Sequence, residues 1–484
     1  MKIYSLVFLV LFFLYSDTLF SQYMAPPSQG SHKNAYTKVE PPSTFSNRQV
    51  LGKVASASFD IHYDDNDSLP LDPAKKGAIE YAVNIWKFLI NTAVGQTIKL
   101  NVKNKNLGYS STDSYTLAQC GPDTFYNSPS LPRSNVQYPI ALAERILGTN
   151  LNGDGYDIQL TINCHDSINW YLGTDGIPHE GQQDLVTTVL HEIAHGLGYF
   201  DSYSVAGNNG YKGFSGYPID AASHPTIYDI FVASGGHHPA TTFLIDDPNA
   251  STGLKTKLIS NNIYFSGENA WVQNGYDSLP KLYAPSSWEP GSSIAHLDEH
   301  SYPSGNRNSL MTPKTDMAEV IHSPGEVGLA VLKDLGWSIN RLATFTHPSF
   351  DVALKKGTVD TIKWFDTDGG SYRLDLMDSL DNSTPPICSS GMANDGLNNY
   401  VWTIPASLPN GKYRIKISNG DPFGLTSMFT ISDSEQVAAP LFNYSSNTYE
   451  NPITVSVSCS TPGATIRYTI NSSTGPGERV KILF

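Results

Sequence analysis

Residues Asp184 to Gly198 read DLVTTVLHEIAHGLG. Leu185, Val189 and Ile193 recur at helical spacing, with Val186, Leu190 and Ala194 beside them, while Thr188, His191, Glu192 and His195 point the other way. Asp184 suits the N-cap, and Gly196 and Gly198 end the helix. Histidines four apart stand one above the other on a helix, so His191 and His195 can reach one ion. Glu192 beside them can take a proton from water that zinc has acidified, which makes the pattern that of a metal-dependent hydrolase with Glu192 as general base. Two surface histidines matching by chance are the bland alternative. A catalytic zinc takes three protein ligands and keeps one position open. The third ligand is His296, in GSSIAHLDE, or Asp201, which completes H-E-x-x-H-x-x-G-x-x-D if Gly198 turns the chain back to the metal; His300 is a lesser candidate.

Outward from this stretch, Ala57 to Tyr63, Ile98 to Val102 and Tyr156 to Ile162 alternate as strands, and Pro73 to Asn91 has helical spacing through Ile79, Ala82, Ile85, Trp86 and Leu89. Interleaved strands and helices predict an α/β or α+β domain over residues 54–341. After Trp337 the texture changes to short strands separated by Gly, Asp, Asn and Pro, such as Ser371 to Leu376, Tyr400 to Ile404, Tyr413 to Ile417 and Ser427 to Ile431. That is the pattern of a β-sandwich, expected over 342–434, and a partial further β module follows over 437–484.

The N-terminus predicts export. Lys2 precedes an apolar run from Ile3 to Tyr15, and cleavage before Gln22 would remove a signal peptide of residues 1–21. The run is short for a membrane span, which needs roughly 20 residues, so a secreted protein without a membrane span is expected. Residues 22–53, rich in Ser and Asn and broken by Pro26, Pro27, Pro41 and Pro42, read as a linker or short propeptide. The net charge of -14 disfavours nucleic acid as a partner. Of the four cysteines, Cys120 and Cys164 could pair in an oxidising exterior. Asn152, Asp154 and Asp157 alternate like calcium ligands, but a tight turn before a strand explains them as well.

HEIAHGLG, a distant histidine after Gly291-Ser-Ser, the turn Leu310-Met311-Thr-Pro313 and the closing helix VGLAVLKDLGW (327–337) together resemble the leishmanolysin type of metzincin, in particular its exported bacterial relatives. The resemblance covers roughly residues 55 to 338. It implies the α+β form of that domain and a zinc endopeptidase acting on proteins or peptides, with His191, His195 and His296 as ligands, Glu192 as base and Met311 as the methionine of a turn beneath the metal. It also implies that an extended substrate pairs with an edge strand corresponding to Tyr156 to Ile162. Asp201 departs from the pattern, standing where other metzincins place their third ligand. The run TPGATIRYT (461–469) is similar to the C-terminal β-sandwich of chitobiase and β-hexosaminidase type proteins, and residues 343 to 434 look like an immunoglobulin-type sandwich. Such modules imply contact with polysaccharide or mere spacing. The rival readings are a catalytically inactive, protease-like adhesin and a secreted carbohydrate-active protein, which would need a pair of catalytic carboxylates that no pattern singles out.

Overall fold

Asp72 and Pro73 open the first long helix, α1 (Pro73–Leu89): the Asp72 carboxylate accepts from the Lys75 amide at 2.9 Å, and proline costs nothing at a position with no helical partner. Its apolar row buries Ile79, Ala82, Ile85, Trp86 and Leu89, as the spacing predicts. The Trp86 indole N–H reaches the Leu190 carbonyl at 3.1 Å, tying α1 to the helix that carries the histidines, α2 (Leu185–Gly196). A third helix, α3 (Gly325–Leu335), ends at Gly336, and the indole of Trp337 donates to the Leu197 carbonyl at 2.8 Å.

The computed structural model describes residues 28–46, 57–65, 69–111, 114–213, 224–240, 242–276, 278–349 and 352–433, with strand fragments at 441–442, 457–458, 466–468 and 480–482. The expected signal peptide, and most of the expected module over 437–484, lie outside the described residues. The chain is mixed α and β, with many strands and few helices. No described helix is long and apolar enough to cross a membrane.

Six strands make the main sheet: β1 (Ser28–Val39), β2 (Phe59–Tyr63), β3 (Ile98–Lys105), β4 (Tyr115–Pro122), β5 (Ile158–Asn163) and β6 (Lys314–Ile321), in the order β6-β1-β4-β5-β3-β2. β2, β3 and β5 run parallel, β4 is antiparallel to β5, β1 is antiparallel to β4, and β6 is parallel to β1. Two expectations change here. The strand near Tyr156 to Ile162 is interior, paired on both sides by β3 and β4, so it has no free edge for a substrate. Its apolar residues Ile158, Leu160 and Ile162 are fully buried, as a central strand requires. The polar stretch read as a linker or short propeptide also supplies a strand, β1, one place in from the edge strand β6, which pairs through its backbone and therefore left no hydrophobic alternation to read.

The apolar core falls into two large clusters. One gathers residues between Val39 and Leu342, the other residues between Ala343 and Ile431. In the second, a nine-stranded sheet system contains no described helix and packs Trp364, Tyr372, Trp402, Ile415 and Phe429 together. Just before it, Arg341 grips the fully buried Asp366 with Nε and a terminal nitrogen at 2.9 and 2.7 Å, a forked contact that fixes the start of the β-rich region.

Candidate metal centre

Every residue of α2 is buried, the polar ones included. The helix has no solvated face, because the segments carrying His296 and Met311 cover the side that the sequence shows as polar. Gly196 permits its close approach to the sheet. A β-carbon there would lie 2.4 Å from Ile158 Cγ2 and 3.2 Å from Cys120 Sγ. Gly198 has φ of 116°, the left-handed region that favours glycine, and turns the chain out of the helix.

His191, His195 and His296 come together as the one group of three or more ligand-type side chains, among the described residues, whose donor atoms all lie within 4.8 Å of one another. The Nε2 atom of His191 is 3.0 Å from that of His195 and 3.2 Å from that of His296. Each ring presents its other nitrogen to a backbone carbonyl: Leu310 at 2.7 Å for His191, Tyr199 at 2.5 Å for His195 and Ser292 at 2.9 Å for His296. A carbonyl can only accept, so each Nδ1 carries the proton and each Nε2 turns a lone pair inward; the tautomers follow from these partners. Three lone pairs facing one another cannot bond among themselves, whereas a cation satisfies all of them. Burial holds the His191 imidazole down to about 4 and pushes His195 and His296 well below the ordinary histidine range, with the neighbouring histidines adding to the effect. Neutral imidazoles with anchored Nδ1–H groups are what a metal requires. These residues fit a metal ion.

The turn Ser309–Met311 organises the site. Its Leu310 carbonyl orients His191, and the Met311 carbonyl accepts from the Leu297 amide at 2.8 Å, beside His296. The Met311 side chain is buried within the first core cluster. The His296 loop also holds Ile294 at φ of 72°, a strained conformation for a β-branched residue that the surrounding packing must enforce. Glu192 is fully buried, and its charge helps push the Cys120 thiol up, after burial itself. His191 borders a small cleft lined by Thr187, Thr188, Leu310, Lys314 and Thr315.

Asp201 is not part of the histidine cluster. Its carboxylate accepts from the Tyr203 amide at 2.7 Å. Some of the residue's surface reaches solvent, but its carboxyl group is enclosed; burial raises its pKa well above the ordinary range, and Asp229 adds to the rise. A carboxyl raised in the folded state contributes stability that is complete below the unfolded value, about 3.9, and is lost as pH climbs through the folded value. Asp201→Asn is therefore expected to unfold at a higher temperature than the parent at pH 7 and to lose that advantage near pH 4, as read by thermal denaturation. An unchanged pH profile would show that Asp201 is ionised. His300 is exposed and outside the cluster. Cys120 and Cys164 are free thiols, so the pairing that an oxidising exterior would allow is not formed. Around the calcium-like stretch, the Asn152 side chain donates to the Tyr156 carbonyl and to Asp157, while Asp157 accepts from the Lys99 amide, so the turn occupies them.

One pair escaped the sequence reading. Asp184 caps α2 by accepting from the Thr187 amide at 2.7 Å and hydroxyl at 2.6 Å, and the same oxygen lies 2.8 Å from Nε2 of the buried His322. With the bond from the Ile321 amide to Thr187 Oγ1, this stitches the end of β6 to the start of the histidine helix. The partners are 138 residues apart, and a lone histidine followed by Ser-Pro carries no signal of a buried partner. Asp184→Ala is expected to lower the free energy of unfolding by about 2–4 kcal/mol, because a cap and a buried acceptor disappear together. Urea denaturation measures it, and a loss under about 1 kcal/mol would mean that water or a neighbour replaces the carboxylate.

With this geometry in place, comparison with known proteins yields partial likenesses. A family model described as SPBPB7E8-like matches residues 135–236, the stretch holding His191, Glu192 and His195. The Kre9/KNH-like N-terminal Ig-like domain matches residues 347–431. No curated protein matches the chain. Among solved structures, a chain from the crystal structure of the titin domains z1z2 in complex with telethonin is 19% identical, with a TM-score of 0.14, over 21% of this chain and 52% of that one. This chain thus spans about half the length of that relative.

Proposed function

We propose that the protein is a secreted, zinc-dependent endopeptidase of the leishmanolysin-like metzincin type, with its α+β protease domain followed by β-sandwich accessory domains. The observation that carries the reading is the convergence of three inward-facing Nε2 atoms, two of them on the helix that also carries the buried Glu192. A divalent ion bound there supplies Lewis acidity that polarises a peptide carbonyl and makes water nucleophilic at neutral pH. His191, His195 and His296 would hold it, and the carbonyls of Leu310, Tyr199 and Ser292 keep their rings in the tautomer that leaves Nε2 free for it. Glu192 takes the proton from the attacking water and passes it to the leaving amine. Met311 positions the floor of the site, and Gly198 turns the chain away from it. Neutral nitrogen donors and burial favour zinc over calcium, which prefers six to eight oxygen ligands.

The Kre9/KNH-like match favours a second role for the β-sandwich, contact with cell-wall or other polysaccharide, which would place the peptidase near its protein substrates. The rival, an inactive protease-like adhesin, keeps the metal but hydrolyses nothing. Metal analysis of the purified chain, followed by chelation and zinc add-back, tests the reading. Chelation is expected to abolish hydrolysis of a generic protein substrate and to lower the unfolding temperature, because a ligand that binds only the native state stabilises it by about 4 kcal/mol at a thousandfold excess over Kd. Hydrolysis that persists without metal would sink the proposal, and metal binding without hydrolysis would support the adhesin.

A further inference from the structure

The apolar core divides between Leu342 and Ala343, and both residues line a cavity of about 280 Å³. Its walls come from residues 39–44, from Arg307 with the start of α3, and from the β-rich region at residues 343–349, 367 and 425–427. Ligand pockets form preferentially at such junctions, and this volume sits at the small end of their usual range, roughly 300 Å³ upward.

Two opposite charges meet in the wall. Glu326 is 5% exposed, and its Oε2 lies 3.1 Å from Nε of Arg307. That contact lacks hydrogen-bond alignment, so among the described residues the oxygen has no hydrogen-bonded partner. The Arg307 guanidinium also lies 3.7 Å over the centre of the Phe365 ring, a contact that uses its face and spends none of its donors. The third charged residue of the wall, Glu40, is exposed and pairs with Lys38 at 2.8 Å. A cation would meet Arg307 and an anion would meet Glu326, so the wall selects a neutral ligand that both donates and accepts. Neighbouring hydroxyls on a sugar ring do this, one accepting from the guanidinium while the next donates to the carboxylate. The remaining lining suits the same chemistry. Oγ of Ser43 and Oγ1 of Thr367 and Thr426 accept backbone amides at 3.2, 2.8 and 2.8 Å, which fixes each oxygen and leaves its O–H to donate. Phe345 and Pro348 add apolar surface for the C–H face of the ring.

We infer that this junction cavity binds a neutral mono- or disaccharide unit, either a free sugar or the end of a glycan chain. The inference rests on the polysaccharide contact proposed for the β-sandwich, to which it gives a site, and it is independent of the peptidase reading.

Titration calorimetry on the full chain tests this, with glucose, mannose, galactose, N-acetylglucosamine, cellobiose, laminaribiose and gentiobiose as probes. At least one is expected to bind with a Kd on the order of 1 mM or tighter. Arg307→Gln removes the guanidinium from a half-buried position, and Ser427→Trp fills space from an exposed position in the wall without touching the charged pair. Each is expected to weaken binding at least about tenfold, with the circular dichroism spectrum unchanged. Retention of the parent on an insoluble glucan, lost in both variants, assigns the cavity to a chain end. Small-sugar binding without such retention assigns it to a free saccharide, and either result supports the inference. Binding of none of the probes, or undiminished binding in either variant, would overturn it. Retention on glucan that both variants keep would overturn it too, while leaving a polysaccharide contact elsewhere on the β-sandwich.

Discussion

Glu192→Gln is expected to lose roughly 10²–10⁴-fold in kcat/KM while retaining its full complement of metal, because general-base catalysis contributes a factor of that size. The two halves of this result separate because the histidines are oriented without Glu192. Their Nδ1 atoms are fixed by the carbonyls of Leu310, Tyr199 and Ser292, none of which depends on the glutamate. Glutamine preserves the volume of a fully buried side chain, so the packing beside Cys120 is conserved and only the basic oxygen is lost. The measurement pairs metal content with steady-state hydrolysis. Undiminished activity would place the base elsewhere. Loss of metal together with activity would make Glu192 a structural member of the site.

His296→Ala is expected to weaken zinc binding by more than roughly a hundredfold, beyond the 10–100-fold that substituting an outer partner typically costs. A competitive chelator titration reads the affinity, with Asp201→Asn as the companion expected to bind as tightly as the parent. The contrast follows from geometry. His296 brings its Nε2 to 3.2 Å from that of His191, whereas Asp201 is engaged with the Tyr203 amide and raised in pKa by its enclosure and by Asp229. Circular dichroism on the metal-free proteins separates a lost ligand from a lost fold. Should Asp201→Asn shed the metal and His296→Ala keep it, the ligand set would have to be redrawn around the carboxylate.

What could be read along the chain is what depends on neighbours in sequence. The four-residue spacing of Leu185, Val189 and Ile193 marks a helix because one face must be buried, and His191 and His195 fall on a common line because four residues make about one turn. Helix α1 and strands β2, β3 and β5 were legible for the same reason, as were the alternating strands of the region after Trp337. Asp184 as a cap, too, is a local matter of an oxygen three residues from a free amide.

Folding alone decided the relations that cross long distances. Which of His296 and Asp201 joins the two helix histidines depended on where a loop held by Tyr283 and Met311 delivers an imidazole, and no local pattern encodes that closure. The Asp184–His322 contact and the burial of the whole of α2 arise from segments more than a hundred residues apart covering one helix. β1 stayed hidden because backbone pairing leaves no mark on side-chain order, so a polar stretch between prolines looked like a linker while its amides and carbonyls joined two strands. Side-chain periodicity records which face is buried; it does not record which backbone lies alongside, and that is settled only when the strands meet.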